Sequence, residues 1–179
     1  EFWKEMKNNP IHPQTSQPSP GDFRRQYQFL SSHYDSAISI HIPKKLSGTF
    51  QSAVTASKTV SNFPIEVSDS INGSVGMGLI AMSAAEAVQN GKNFNEVCRI
   101  LENAINNTTI YIGFDKLDNV VKGGRISHTV KKIAKFFRIN PIITFKEEGI
   151  KTIGITFGNN NKADKFKKFA ESKIPINKN

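Results

Sequence analysis

Apolar positions along the chain follow two spacings, and the switches between them mark out the elements. A β-branched run from Ala37 to Ile42 stops at Pro43 and predicts a buried strand. After the loop Lys44-Lys45-Leu46-Ser47-Gly48-Thr49, apolar residues at Phe50, Ala53, Val54 and Val60 take up helical spacing, with Ser47 expected as the N-cap. Upstream, Ser19-Pro20-Gly21-Asp22 reads as a helix start, and Phe23, Tyr27 and Leu30 form the inward stripe behind it. Downstream, Phe63–Val67 predicts a second strand that ends in Ser68-Asp69-Ser70. Residues 74–89, SVGMGLIAMSAAEAVQ, are small and apolar almost throughout and predict a largely buried helix. Asn93–Ile105 is amphipathic, with Asn93 and Glu96 in capping-box positions and Phe94, Val97, Leu101 and Ile105 inward.

Asn106-Asn107 breaks this pattern and is the expected domain boundary, dividing the chain into residues 1–107 and 108–179. Beyond it, Thr108–Phe114 predicts a strand and Asp115–Lys122 a short helix or turn. Gly123-Gly124 then stops the chain before a new cap at Ser127. A helix from His128 to Arg138 turns Val130, Ile133, Ala134 and Phe137 inward and carries Lys131, Lys132, Lys135 and Arg138 elsewhere. Ile142–Phe145, a turn at Glu147-Glu148-Gly149 and Ile150–Phe157 make a β-hairpin, and Lys162–Ser172 is a last basic helix with Phe166, Phe169 and Ala170 inward. At the other end, residues 1–10 read as the tail of a helix already under way, stopped by Asn8-Asn9-Pro10, and something upstream of Glu1 is expected.

The totals narrow the classes. With 179 residues, 37% hydrophobic and 22% charged, the chain has the make-up of a globular α/β protein with a real core. No apolar run approaches the length of a membrane span, and no signal peptide is read. The single Cys98 excludes an intrachain disulfide framework, reads as a buried structural thiol and fits a reducing, cytoplasmic setting. A net charge of +9 raises the alternative of a basic module at 122–138 that docks nucleic acid, an anionic partner or a membrane surface. That stretch shows little aromatic interleaving and no nucleic-acid motif.

Catalytic patterns are missing. The histidines His12, His33, His41 and His128 match no metal-ligand spacing. Asp115 and Asp118, beside a lysine, read as a solvated face. Gly76-Met77-Gly78-Leu79-Ile80-Ala81 matches a dinucleotide fingerprint in letters, yet its first glycine lies nine residues past Val67, too far for the tight turn that chemistry needs. Those glycines read as close helix packing. The chain reads as a binder rather than a catalyst, with no cofactor beyond a bound ligand.

Two hydroxyl-rich loops remain. Thr15-Ser16-Gln17 sits in the proline-stiffened segment PIHPQTSQPSP, which holds side chains at little further entropic cost. Ser47-Gly48-Thr49 sets two hydroxyls and a glycine at a helix start, where free N–H groups and the helix dipole favour an anion. A capped turn and a plain surface connector fit the same residues when each loop is taken alone.

Taken together, Thr15-Ser16-Gln17-Pro18-Ser19, Leu46-Ser47-Gly48-Thr49-Phe50-Gln51-Ser52 and Lys122-Gly123-Gly124-Arg125-Ile126-Ser127 resemble the signature blocks of the DegV family, in that family's order. Asp69-Ser70 before the Gly76/Gly78 helix, and Asn140-Pro141-Ile142-Ile143 before a hairpin, resemble it too. The resemblance implies a two-domain α/β fold, a parallel α/β/α sheet domain plus a smaller two-layer α/β domain with a mixed sheet, each present in part. It implies a long-chain fatty acid in an interior tunnel, presented to a separate ATP-dependent kinase subunit for acyl phosphate formation and phospholipid synthesis. Thr15, Ser16, Ser47, Gly48 and Thr49 would hold the carboxylate, and Arg125 would stand at the tunnel mouth or partner surface. By the same likeness no metal is involved, no nucleic acid is a partner, and membrane contact is at most peripheral. Two departures stand out. The chain lacks the family's opening strand with its Asp-Ser loop and its closing glycine-rich loop with a histidine, and it carries Phe157-Gly158-Asn159-Asn160-Asn161 where an arginine-containing turn is usual.

Overall fold

Between Gln17 and Ile110 the alternation of strands and helices builds a parallel pair of strands with two helices on each face. In chain order the elements are α1 (Phe2–Asn8), α2 (Pro20–Ser31), β1 (Ala37–His41), α3 (Thr49–Ser57), β2 (Ile65–Asp69), α4 (Ser74–Gln89) and α5 (Phe94–Asn107). They are followed by β3 (Ile112–Gly113), α6 (Asp118–Lys122), β4 (Ile139–Lys146), β5 (Gly149–Phe157) and α7 (Lys162–Glu171). The computed structural model describes residues 2–9, 11–114, 117–125, 139–158 and 160–173, without the Lys7 side chain. The Ser127 cap, the 128–138 helix with its lysines, and Asp115 lie outside the described residues.

The chain divides into two compact units. One comprises residues 17–110 and 144–151, the other residues 1–16, 111–143 and 152–179. In the first, β1 and β2 pair in parallel, Ala37 opposite Ile65 through His41 opposite Asp69. Parallel neighbours need a crossover, and α3 supplies it. Ile38 and Ile40 pack on the face of α4 and α5, around Ile80, Ala84, Val97 and Leu101. Ile65 and Val67 pack on the opposite face, around Tyr27 of α2 and Ala53 and Ala56 of α3. Helices α2 and α5 start as their sequences indicate: Ser19 with Asp22, and Asn93 with Glu96, each form a reciprocal capping box.

Four expectations are corrected. The α3 cap is Gly48 and not Ser47, whose hydroxyl reaches the chain two residues on instead of three. Helix α4 is not largely buried: Gly76, Ile80, Ala84 and Ala87 turn inward, while Val75, Leu79, Met82 and Val88 stand exposed. Gly76 packs against the Asn72 side chain rather than another helix, and Gly78 faces open space. The expected strand at Thr108–Phe114 shortens to Ile112–Gly113, because only those two residues find partners on β4, Ile143 and Ile142.

β3 and β4 run antiparallel, and β5 completes a three-stranded sheet after the Glu147-Glu148 turn. Gly149 takes φ +122 there, a conformation that side-chain-bearing residues avoid. Helix α7 lays its aromatic rings on backbone that only glycine leaves bare, Phe166 on Gly113 and Phe169 on Gly154. Asn140 ties the start of β4 to the end of β5 by donating to Gly158 O at 2.8 Å.

His41 ends β1 on the α2/α3 side, 8% exposed, with the Phe23 ring edge-on to it. Tyr27 donates to Ser39 Oγ at 2.7 Å, which leaves the Ser39 hydroxyl to donate to His41 Nε2, also at 2.7 Å. Burial holds the imidazole below its ordinary range, and the nearby Asp69 charge pulls it part of the way back. The folded state therefore keeps His41 neutral while the unfolded chain takes up a proton below about pH 6.5. Stability from this group is complete above that pH and is lost as the pH falls toward the folded value. Thermal unfolding is expected to shift downward between about pH 7.5 and pH 5, and His41→Gln, which still accepts from Ser39 but does not titrate, should flatten that slope. Equal slopes in the two proteins would contradict it.

Candidate functional site

Because β1 and β2 are parallel, their C-terminal ends lie together, and two loops leave from that one end. This is the end at which open α/β sheets bind ligands. The first loop is wound tight by the Leu46 and Ser47 N–H groups, which both donate to Pro43 O at 2.8 and 3.2 Å. Ser47 Oγ accepts from the Thr49 N–H at 3.2 Å and lies 2.7 Å from Thr49 Oγ1. Ser47, Gly48 and Thr49 are all half-buried. The next N–H groups, those of Phe50 and Gln51, belong to the first helical turn and so have no acceptor within α3. Two hydroxyls, open N–H groups and the positive end of a helix dipole thus face one small region.

Gly48 lies beneath the end of the Gln17 side chain. Its φ of −72 and ψ of 2 suit any residue, and a Cβ there would make the Gln17 carboxamide swing aside. Gln17 is the side chain that selection of hydroxyls alone leaves out. The structure gathers Ser47, Gly48, Thr49 and Gln17 in one unit. Thr15, Ser16 and Arg125 belong to the other, all three exposed. Arg125 folds its guanidinium back onto Gly123 O.

The second loop is a buried polar knot that the strand pattern does not announce. Asp69 closes it by accepting from the Ile71 N–H at 3.0 Å and the Lys44 N–H at 3.4 Å, with Lys44 Nζ at 3.8 Å. The carboxylate thereby fastens the first loop to the second. Ser70 continues the ladder to His41 O, and its hydroxyl donates to Asn72 O at 2.7 Å. The Asn72 amide donates to Ser70 O at 3.1 Å and to Thr108 O at 3.2 Å, joining the start of α4 to the end of α5. Ile71 and Ser74 hold positive φ, a strain on the order of 1–3 kcal/mol each that these bonds offset. The Ser-x-Asn-Gly turn chemistry was the available signal. No cluster of three metal-ligating side chains occurs among the described residues.

A family model described as "Uncharacterised protein, DegV family" matches residues 1–177. Protein DegV of Bacillus subtilis is 33% identical over 150 residues, covering 83% of this chain and 53% of that protein. The crystal structure of DegV from Bacillus subtilis, described as a fatty acid binding protein, matches with a TM-score of 0.81 at 28% identity, over 96% of this chain and 61% of its own. A DegV family protein from Thermus thermophilus, described by its fatty acid binding, gives 0.82 at 27% identity, over 95% and 60%. The chain spans about half the length of the curated relatives it matches.

The knot's energetic weight is open to test. Asn72→Ala removes one buried and one part-buried bond, to the Ser70 and Thr108 carbonyls, for an expected loss of about 1–3 kcal/mol in chemical denaturation. A loss no larger than that of an exposed control such as Gln89→Ala would show that the knot does not hold the two loops.

Proposed function

The chain belongs to the DegV family, and from that membership we propose that it binds a long-chain fatty acid by the carboxylate at the start of α3. The observation that carries the reading is the Ser47–Thr49 hydroxyl pair beside the first-turn N–H groups, at the loop end of a parallel sheet. A carboxylate taken out of water is costly unless each oxygen accepts hydrogen bonds, and charge-assisted bonds of this kind are the strong ones. Burying an acyl chain returns about 0.8 kcal/mol per methylene, on the order of 12 kcal/mol gross for a palmitoyl chain, much of it offset by lost ligand freedom.

In this reading Thr15 and Ser16 add further hydroxyls. Gln17, covalently next to Ser16, covers Gly48 and moves aside when the ligand enters. Arg125 meets the partner or the acyl phosphate near the mouth of the ligand's tunnel. Residues 1–107 supply the carboxylate loops and residues 108–179 the Gly-Gly-Arg loop and hairpin. The protein acts in the cytoplasm as the non-catalytic lipid-binding subunit of a fatty acid kinase, presenting the carboxylate to an ATP-dependent catalytic subunit for phospholipid synthesis. Among the described residues, no helix is long and apolar enough to cross a membrane.

Native mass spectrometry of the purified chain should show co-purified fatty acid, and the double variant Thr15→Ala with Ser47→Ala should lose most of it. Hexadecanol, with the same tail and no charge, should stabilise the protein far less than palmitate does. Absence of bound lipid together with no stabilisation by palmitate or oleate would sink the proposal. Undiminished lipid in the double variant would move the carboxylate elsewhere.

A further inference from the structure

The tip of the β4–β5 hairpin reaches both loops at the end of the parallel sheet. Residues 144–151 belong to the unit that holds those loops, while Ile143 and Thr152 on either side belong to the other. Thr144 is buried at 2% exposure, and the half-buried Phe145 ring rests on Gly73, at the head of α4. A Cβ on Gly73 would stand 3.4 Å from Phe145 Cε2. Across the turn, a Cβ on Gly149 would stand 3.7 Å from Lys45 Cβ, in the loop that leads to Ser47. Both are ordinary packing distances. One short element thus touches the first loop and the second.

The tip is held differently from the loops beneath it. Asp69 and Asn72 fasten the loops with directional hydrogen bonds. Among the described residues, no hydrogen bond or ion pair joins 144–151 to either loop. Its hold is side-chain packing, which is non-directional and opens locally without undoing the frame below. Pairing of β4 with β5 keeps the tip in one piece, and Gly149 at φ +122 sets its turn. A carboxylate beside the start of α3 needs cover from water for its bonds to count, and the same ligand has to come and go. A stiff tip resting on loops by packing alone meets both needs.

We propose that residues 144–151 are the lid of the site at the start of α3, shut when Phe145 rests on Gly73 and open when that ring lifts. The inference rests on the fatty-acid reading and adds to it the step of entry and release. Phe145 sets how fast the ligand passes, and Ser47 and Thr49 set how it is held.

A fluorescent long-chain fatty acid is mixed with the full 179-residue chain in stopped flow for the entry rate, then chased with excess palmitate for the release rate. Phe145→Ala removes the ring that rests on Gly73. Gly73→Leu keeps the ring but fills the space beneath it, and the extended backbone there, φ −144, accepts a side chain. In both variants entry and release are expected to quicken together, each by at least about fivefold, so that Kd moves less than either rate. Damage to the fold alone would quicken release without quickening entry. If Phe145→Ala fails to fold, Phe145→Leu and Gly73→Leu carry the test. Wild-type rates in the variants, or faster release with unchanged entry, would overturn the lid and leave the fatty-acid reading standing. No binding of either fatty acid by the wild-type chain would sink that reading and the lid with it.

Discussion

Parallel pairing of β1 with β2 is the constraint on which the larger unit depends. A parallel ladder demands a crossover, and α3 is that crossover. It also demands cover on both faces, which α2 with α3 and α4 with α5 provide. Most consequentially, it places the chain's two exits from the sheet side by side. Ser47-Gly48-Thr49 and Asp69-Ser70-Ile71-Asn72 meet at one end only because His41 and Asp69 are register partners. In an antiparallel pair the same two loops would leave from opposite ends.

That shared end is polar in two different ways. The Asp69–Asn72 knot spends its polar groups internally, fastening Lys44 of the first loop to Asp69 and Thr108 at the end of α5 to Asn72, and so holds the geometry. The Ser47–Thr49 turn is half-buried and leaves first-turn N–H groups of α3 open to an acceptor. A rigid polar frame beside an open set of donors is what a carboxylate requires, since its desolvation is offset only by bonds already in place.

Much of this was legible in the residues. The capping boxes at Ser19 and Asn93, the strand stopped by Pro43 and the hairpin turn at Gly149 all rest on local chemistry, which a sequence displays directly. What escaped depends on contacts between distant residues. Ser47 has the identity of an N-cap, but the Pro43-centred turn advances the helix start by one residue. The small, apolar residues of α4 indicate burial, yet burial depends on how much sheet lies beneath, which no local pattern encodes. Gln17 looked like one more polar loop residue until the space over Gly48 showed what it covers. The family resemblance supplied the expectation that the Thr15 and Ser47 loops act together, which neither loop suggests by itself.

The site proposed at the start of α3 is defined by the carboxylate it binds. The most direct measurement is the carbon-13 resonance of palmitate labelled at its carboxyl carbon, recorded on the protein and on the Ser47→Ala variant. A bound resonance is expected, shifted from that of free palmitate, whose position or occupancy changes in the variant. A bound resonance identical in the two proteins would place the carboxylate away from Ser47 and overturn the proposed site.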